Sequence, residues 1–107
     1  MMVDRELDAL KREFLSEAEE KVREMQTALG TAEDRDSLER LGYLAHQLKG
    51  SGGSYGYQRI SADAAEIEKV IESASDGGID RRLEEKILQH VGNLRAEIDK
   101  RSKELTA

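Results

Sequence analysis

Residues 3–30 read VDRELDALKREFLSEAEEKVREMQTALG. Within them Val3, Leu7, Leu10, Phe14, Ala18, Val22, Met25 and Leu29 follow one another in steps of three or four. That spacing returns each apolar side chain to one face of an α-helix and holds for about seven turns. The spacing predicts a helix over 3–29. Gly30 stands where it ends, a residue suited to the left-handed position after a helix C-terminus.

Three more segments repeat the pattern. Leu38, Leu41, Leu44, Ala45 and Leu48 form a second stripe. Asp36 with Glu39, or Asp34 instead, is placed to cap its N-terminus. The stripe predicts a helix over 36–52 that fades among Gly50, Ser51, Gly52 and Gly53. Ile60, Ala64, Ile67, Ile71 and Ala74 predict a third helix over 57–75, ended by Asp76-Gly77-Gly78. Ile79, Leu83, Ile87, Val91, Leu94, Ile98 and Leu105 predict a fourth over 79–104, with Asp80 as its N-cap. Each helix has one apolar face and the links are short, so the four should pack as an antiparallel, up-down-up-down, all-α four-helix bundle. The first and fourth helices are the longest, so their ends should project past the others.

Composition agrees and narrows the function. The chain has 107 residues, which is one domain's worth, so residues 1–107 are read as a single domain. It has no Pro and no Cys, which favours long helices and excludes a disulfide scaffold, a thiol nucleophile and a Cys-ligated metal. The net charge of −6 argues against a nucleic-acid partner, since phosphate backbones need a basic face. No apolar run approaches the roughly 20 residues of a membrane span. No signal-peptide pattern opens the chain, and a cytoplasmic location is expected.

The second helix carries the candidate chemistry. On a wheel of about 100° per residue, His46 falls roughly 150° from the centre of the apolar stripe and so faces water. Gly42 lies one turn before it, Gly50 one turn after, and Gly53 close to the same line; Lys49 flanks them. Glycine inside a helix costs about 1 kcal/mol relative to alanine. Access is one reason to bear that penalty: with no Cβ atoms beside it, the imidazole can be reached by another macromolecule's active site. The competing reading is that Gly50, Gly52 and Gly53 end the helix and His46 is an ordinary surface histidine. Neutral imidazole is a good nucleophile near pH 7 and can attack a phosphoryl group. Lys49 could offset charge on the phosphoryl oxygens. A full phosphoryl-transfer catalyst also needs a metal and carboxylates to hold it. None is evident beside His46 in sequence, so the chain reads as a substrate and carrier with no cofactor of its own.

Leu44-Ala45-His46-Gln47-Leu48-Lys49-Gly50-Ser51-Gly52-Gly53-Ser54-Tyr55-Gly56 resembles the signature of histidine phosphotransfer (HPt) domains, Ala-His-x-Leu-Lys-Gly, five residues, then Gly. Ile60, Ala64, Ile67-Glu68 and, in the first helix, Glu13-Phe14-Leu15 with Glu17-Ala18 are similar to the rest of that pattern. The resemblance implies a four-helix bundle with its phosphoacceptor at His46, a charge-stabilising lysine at Lys49 and an access glycine at Gly50. It implies response-regulator receiver domains or a sensor histidine kinase as partners, which would supply the catalytic Mg²⁺. Ile67 in place of Leu is a minor departure. The Gly52-Gly53 pair is a second, expected to shorten the helix and loosen the site.

A receiver should meet Gly42, Tyr43, Gln47 and Gly53 around His46, and the domain is expected to act as a monomer. Tyr43 is expected at the bundle edge, and Tyr55 and Tyr57 between the loop and the third helix. His90 reads as a satisfied boundary histidine, and Glu68 as a capping or packing residue. No metal site is expected, because His46 and His90 are isolated in sequence. A histidine-kinase dimerisation domain would carry Thr-Pro soon after its histidine, and the chain has no Pro. The alternative to a carrier is a non-catalytic helical interaction module, either a degenerate relative or a dimerisation bundle.

Overall fold

In a computed structural model of the chain, residues 4–30, 35–74 and 79–106 are described. They form four helices: α1 (Asp4–Leu29), α2 (Arg35–Ser54), α3 (Gln58–Ser73) and α4 (Arg81–Thr106). No strand occurs among the described residues. Each helix packs on two neighbours, α1 and α3 both lying between α2 and α4. Cross-helix pairs fix the directions. Glu24 of α1 meets Arg40 of α2, whereas the earlier Phe14 meets the later Tyr55. Lys49 of α2 meets Ser61 of α3, and His46 meets Glu68. Arg12 near the start of α1 donates to the Leu105 carbonyl near the end of α4. Every adjacent pair these contacts join is antiparallel, as the apolar stripes and short links predicted.

The stripes supply the core. Phe14, Ala18, Val22 and Met25 of α1, Leu41, Leu44, Ala45 and Leu48 of α2, Ile60, Ala64 and Ile67 of α3, and Ile87, Val91, Leu94 and Ile98 of α4 are buried. Burying one such aliphatic side chain is worth about 1.5–3 kcal/mol, so truncating Leu41 or Leu44 would remove a large part of a small domain's stability. Leu15, outside the single stripe drawn for α1, is buried as well, because α1 must face both α2 and α4 and its apolar face is wider than one line. Leu7 and Leu10 lie on the predicted line yet stay 38% and 36% exposed. They sit in the part of α1 that outruns its neighbours: α1 and α4 have 26 residues each, α2 has 20 and α3 has 16.

The helix ends test the cap assignments. Asp80 caps α4 as expected, its Oδ1 accepting from the Leu83 N–H at 2.8 Å. Helix α2 begins at Arg35, so Asp36 lies in its first turn rather than at the cap, where its charge still suits the positive helix end. The rival cap Asp34 lies outside the described residues, as do Asp76, Gly77 and Gly78. Gly30 ends α1 without entering the left-handed region; its N–H is shared between the Gln26 and Thr27 carbonyls. Helix α3 stops at Ser73, and Ala74 is extended, so the helix ends before residue 75.

Candidate functional site

The glycine-rich stretch does not end α2. The helix runs through Gly50, Gly52 and Gly53 to Ser54, two residues beyond the expected boundary. Its stop signal is Gly56. There φ is +81°, the Tyr57 N–H donates to the Gly52 carbonyl at 2.8 Å, and the Gly56 N–H donates to the Gly53 carbonyl at 3.1 Å. This pair of bonds around a left-handed glycine satisfies carbonyls that a helix end leaves free. The closing glycine of the sequence signature therefore has a backbone role, and the expectation that Gly52-Gly53 shortens the helix is corrected.

Two kinds of contact hold these glycines in a helix they do not favour. One is close packing. A Cβ on Gly52 would lie 3.2 Å from both Ile60 Cγ2 and the Ser61 backbone N, so the absence of a side chain lets α3 approach α2. The other is aromatic. Tyr55 and Tyr57 stack on Phe14 of α1, with ring centroids 5.0 and 5.8 Å apart, and Lys11 lies over the Tyr57 ring. The tyrosines therefore tie the α2–α3 turn to α1, not to α3 as expected. Burial there pushes the Tyr57 hydroxyl pKa up.

His46 projects outward, its side chain 69% exposed. It faces water as the wheel predicted, and the ground beside it is open: a Cβ on Gly50 would meet nothing within 4 Å. Gly53 is exposed, and a Cβ there would meet only the Ser61 hydroxyl, at 3.6 Å. Gly42 departs from expectation. It is half-buried and faces Ile71 of α3, which draws it away from the rim.

The residue that organises the site is Glu68. Its Oε2 is 2.8 Å from His46 Nδ1 and its Oε1 accepts from Lys49 Nζ at 3.2 Å. It does not cap a helix or fill space; it joins two residues three apart on α2 from a position on α3. Its side chain is 17% exposed and that of Lys49 is 48% exposed. Burial pushes the Glu68 carboxyl up, but the hydrogen bonds from His46 and Lys49 outweigh it and hold the pKa below the ordinary value. An ionised carboxylate can only accept, so the proton between the two groups belongs on His46 Nδ1. In the neutral imidazole that places the free lone pair on Nε2, directed away from Glu68.

Tyr43 and Gln47 lie on the other flank of His46. Tyr43 is 52% exposed rather than packed in. Its hydroxyl accepts from Gln47 Nε2 at 2.8 Å, and the Arg40 guanidinium lies over its ring, itself paired with Glu24 of α1. The hydrogen bond from Arg40 holds the Glu24 carboxyl below its usual value. On α4, His90 Nδ1 is 2.8 Å from Asp63 Oδ1, and Asn93 shares that oxygen, so His90 is the satisfied boundary histidine expected. Among the described residues no group of three or more His, Asp or Glu side chains could hold a metal ion, and no helix is long and apolar enough to cross a membrane.

The structure thus brings His46, Lys49 and Gly50 together and adds Glu68 and Gly52 to them. A carboxylate-held imidazole with one open nitrogen, a cation one turn away and no obstruction beside it can act as a nucleophile toward a group presented by another protein. The Hpt domain profile matches residues 9–100, a span reaching from α1 into α4. No curated protein and no solved structure matches the chain.

Proposed function

The chain belongs to the Hpt domain family, whose work is histidine phosphotransfer in phosphorelays, and on that premise we propose that His46 is its phosphoacceptor, loaded from a receiver-domain aspartyl phosphate or a histidine kinase and discharged to a receiver aspartate. The Nε2 lone pair attacks phosphorus. The N–P bond forms as the bond from phosphorus to the donor's oxygen breaks, and that oxygen leaves with the electron pair. Nδ1 keeps its proton throughout and donates it in a hydrogen bond to Glu68. Attack makes the ring cationic, and the adjacent carboxylate offsets that charge. Lys49 is within one side chain's reach and would turn toward the phosphoryl oxygens as they arrive. The partner would supply Mg²⁺, because receivers and kinases carry the carboxylates that hold it.

The docking face we assign is the exposed surface around His46, with Tyr43 and Gln47 on one side and Gly50 and Gly53 on the other. Such a contact should be small and transient, near or below the roughly 1,200 Å² of weak signalling encounters, because a relay must release its product. The domain would act there as a cytoplasmic monomer.

The observation that carries this reading is the exposed His46 imidazole, held at Nδ1 by Glu68 and unobstructed at Gly50. The test is transfer from a phosphorylated receiver to the domain. Wild type should gain an acid-labile, base-stable label. His46→Gln should gain none and keep its helical circular dichroism. Label on the His46→Gln protein would reject the assignment. A well-folded wild type that no receiver or kinase labels would favour an interaction module.

A further inference from the structure

Lys49 is held at both ends by the same helix. Its ammonium donates to Glu68, and its backbone carbonyl accepts from Ser61 Oγ at 2.8 Å. Ser61 and Glu68 are seven residues apart on α3, two helical turns along one face, and that face lies on α2. The crossing bond is unlike the other hydroxyl bonds nearby. Thr27, Ser54 and Ser73 each give their hydroxyls to carbonyls three or four residues back in their own helix, the usual outlet for such side chains in helices. Ser61 instead reaches across to the neighbouring helix, and it can do so because Gly52 lets the two backbones close up, with the Ser61 N only 3.2 Å from where a Gly52 Cβ would stand.

We propose that Ser61 is a positioning residue for phosphoryl transfer, fixing the backbone of Lys49 so that its ammonium and the His46–Glu68 pair keep one register. The inference rests on His46 being the phosphoacceptor. In a helix turn with glycines at positions 50, 52 and 53, the local backbone has little side-chain packing of its own to hold it. Without the Ser61 hydroxyl, Lys49 keeps its charge but loses one of its two anchors on α3. The ammonium would then spend less time where it meets the phosphoryl oxygens. Binding of a receiver, which touches the outer face, would not change.

The test is a double-mutant cycle read as rates of His46 phosphorylation, with phosphoramidate as a small-molecule donor and with a phosphorylated receiver as the protein donor. Ser61→Ala should slow transfer by about threefold to tenfold, the scale of one neutral hydrogen bond, with no change in receiver affinity. Ser61→Thr, which restores the hydroxyl, should recover most of the rate. In a Lys49→Ala background, Ser61→Ala should change the rate by less than about twofold, since residues acting through one another do not add. Independent, additive effects of the two substitutions would overturn the proposal. So would a Ser61→Ala protein with an unaltered rate, or one that fails to fold, since the hydroxyl would then serve the fold alone. Failure of wild type to be phosphorylated at His46 by either donor is a different result: it removes the proposed function itself.

Discussion

The molecule holds two histidine–carboxylate pairs with the same contact. His46 Nδ1 lies 2.8 Å from Glu68, and His90 Nδ1 lies 2.8 Å from Asp63. Both join a histidine to an acid on α3. They differ in what surrounds them. His46 is 69% exposed and His90 25%. Beside His46 stand an open glycine and a lysine that shares its carboxylate; beside His90 stands Asn93, which donates to the same oxygen of Asp63. One pair leaves a ring nitrogen facing outward next to a cation. The other closes a polar network between α3 and α4. The hydrogen bond alone distinguishes nothing; access to the second nitrogen does.

The sharpest way to break that comparison is to remove each acid in turn. Glu68→Ala should slow transfer about tenfold to hundredfold, the scale of a charge-assisted hydrogen bond expressed in a barrier, with little effect on folding. Asp63→Ala should do the reverse, lowering stability by about 1 kcal/mol while transfer stays at the wild-type rate. Single-turnover transfer and thermal melts of both variants decide it. Equal losses of transfer from both would mean that the pairs are not functionally distinct.

A smaller effect separates the glycines. At Gly50 a methyl group enters open space and improves helix propensity, so Gly50→Ala should raise stability by up to about 1 kcal/mol and the Tm by a few degrees. At Gly52 it would meet Ile60 and the Ser61 backbone at 3.2 Å, so Gly52→Ala should lower stability by about 1 kcal/mol after the propensity gain is counted. Gly50→Gln should fold normally yet slow transfer, since bulk returns beside His46. Melting curves that move Gly50→Ala and Gly52→Ala in the same direction would contradict the division into an access glycine and a packing glycine.

The smallest effect is on acid stability. The Glu68 pKa is lower in the folded chain than its ordinary 4.5. A carboxylate of that kind adds stability above the unfolded value and loses it as the pH falls through the folded one. The stability difference between wild type and Glu68→Gln should therefore shrink as the pH falls below about 4.5. Urea unfolding at several pH values measures this. A difference that instead grows toward acid pH would mean that the His46 and Lys49 bonds do not outweigh burial.

Much of this was legible in the sequence. Apolar steps of three and four located all four helices, because a bundle asks little more of a helix than one continuous face. The motif located His46, Lys49 and Gly50, and the wheel turned His46 outward. What was not legible depended on contacts between helices. Three glycines in four positions look like a helix end by propensity, and tertiary packing of Gly52 on Ile60 with Phe14 under Tyr55 and Tyr57 overrides it. Glu68 was seen at a familiar position but not as a partner, because its pairing with a residue 22 positions away depends on the register between α2 and α3. Gly42 went astray for the same reason: a wheel shows which residues leave their own core, not which face the neighbouring helix.

The most direct test of the account is nitrogen-15 NMR of the two histidines before and after phosphorylation with phosphoramidate. Before it, His46 should appear as the tautomer protonated at Nδ1, with Nε2 free. Afterwards the Nε2 resonance of His46 should show coupling to phosphorus, while both His90 nitrogens keep their original shifts. Phosphorus coupled to His46 Nδ1, or to either nitrogen of His90, would contradict the claim that a carboxylate on one side and open space on the other make His46 the phosphoacceptor.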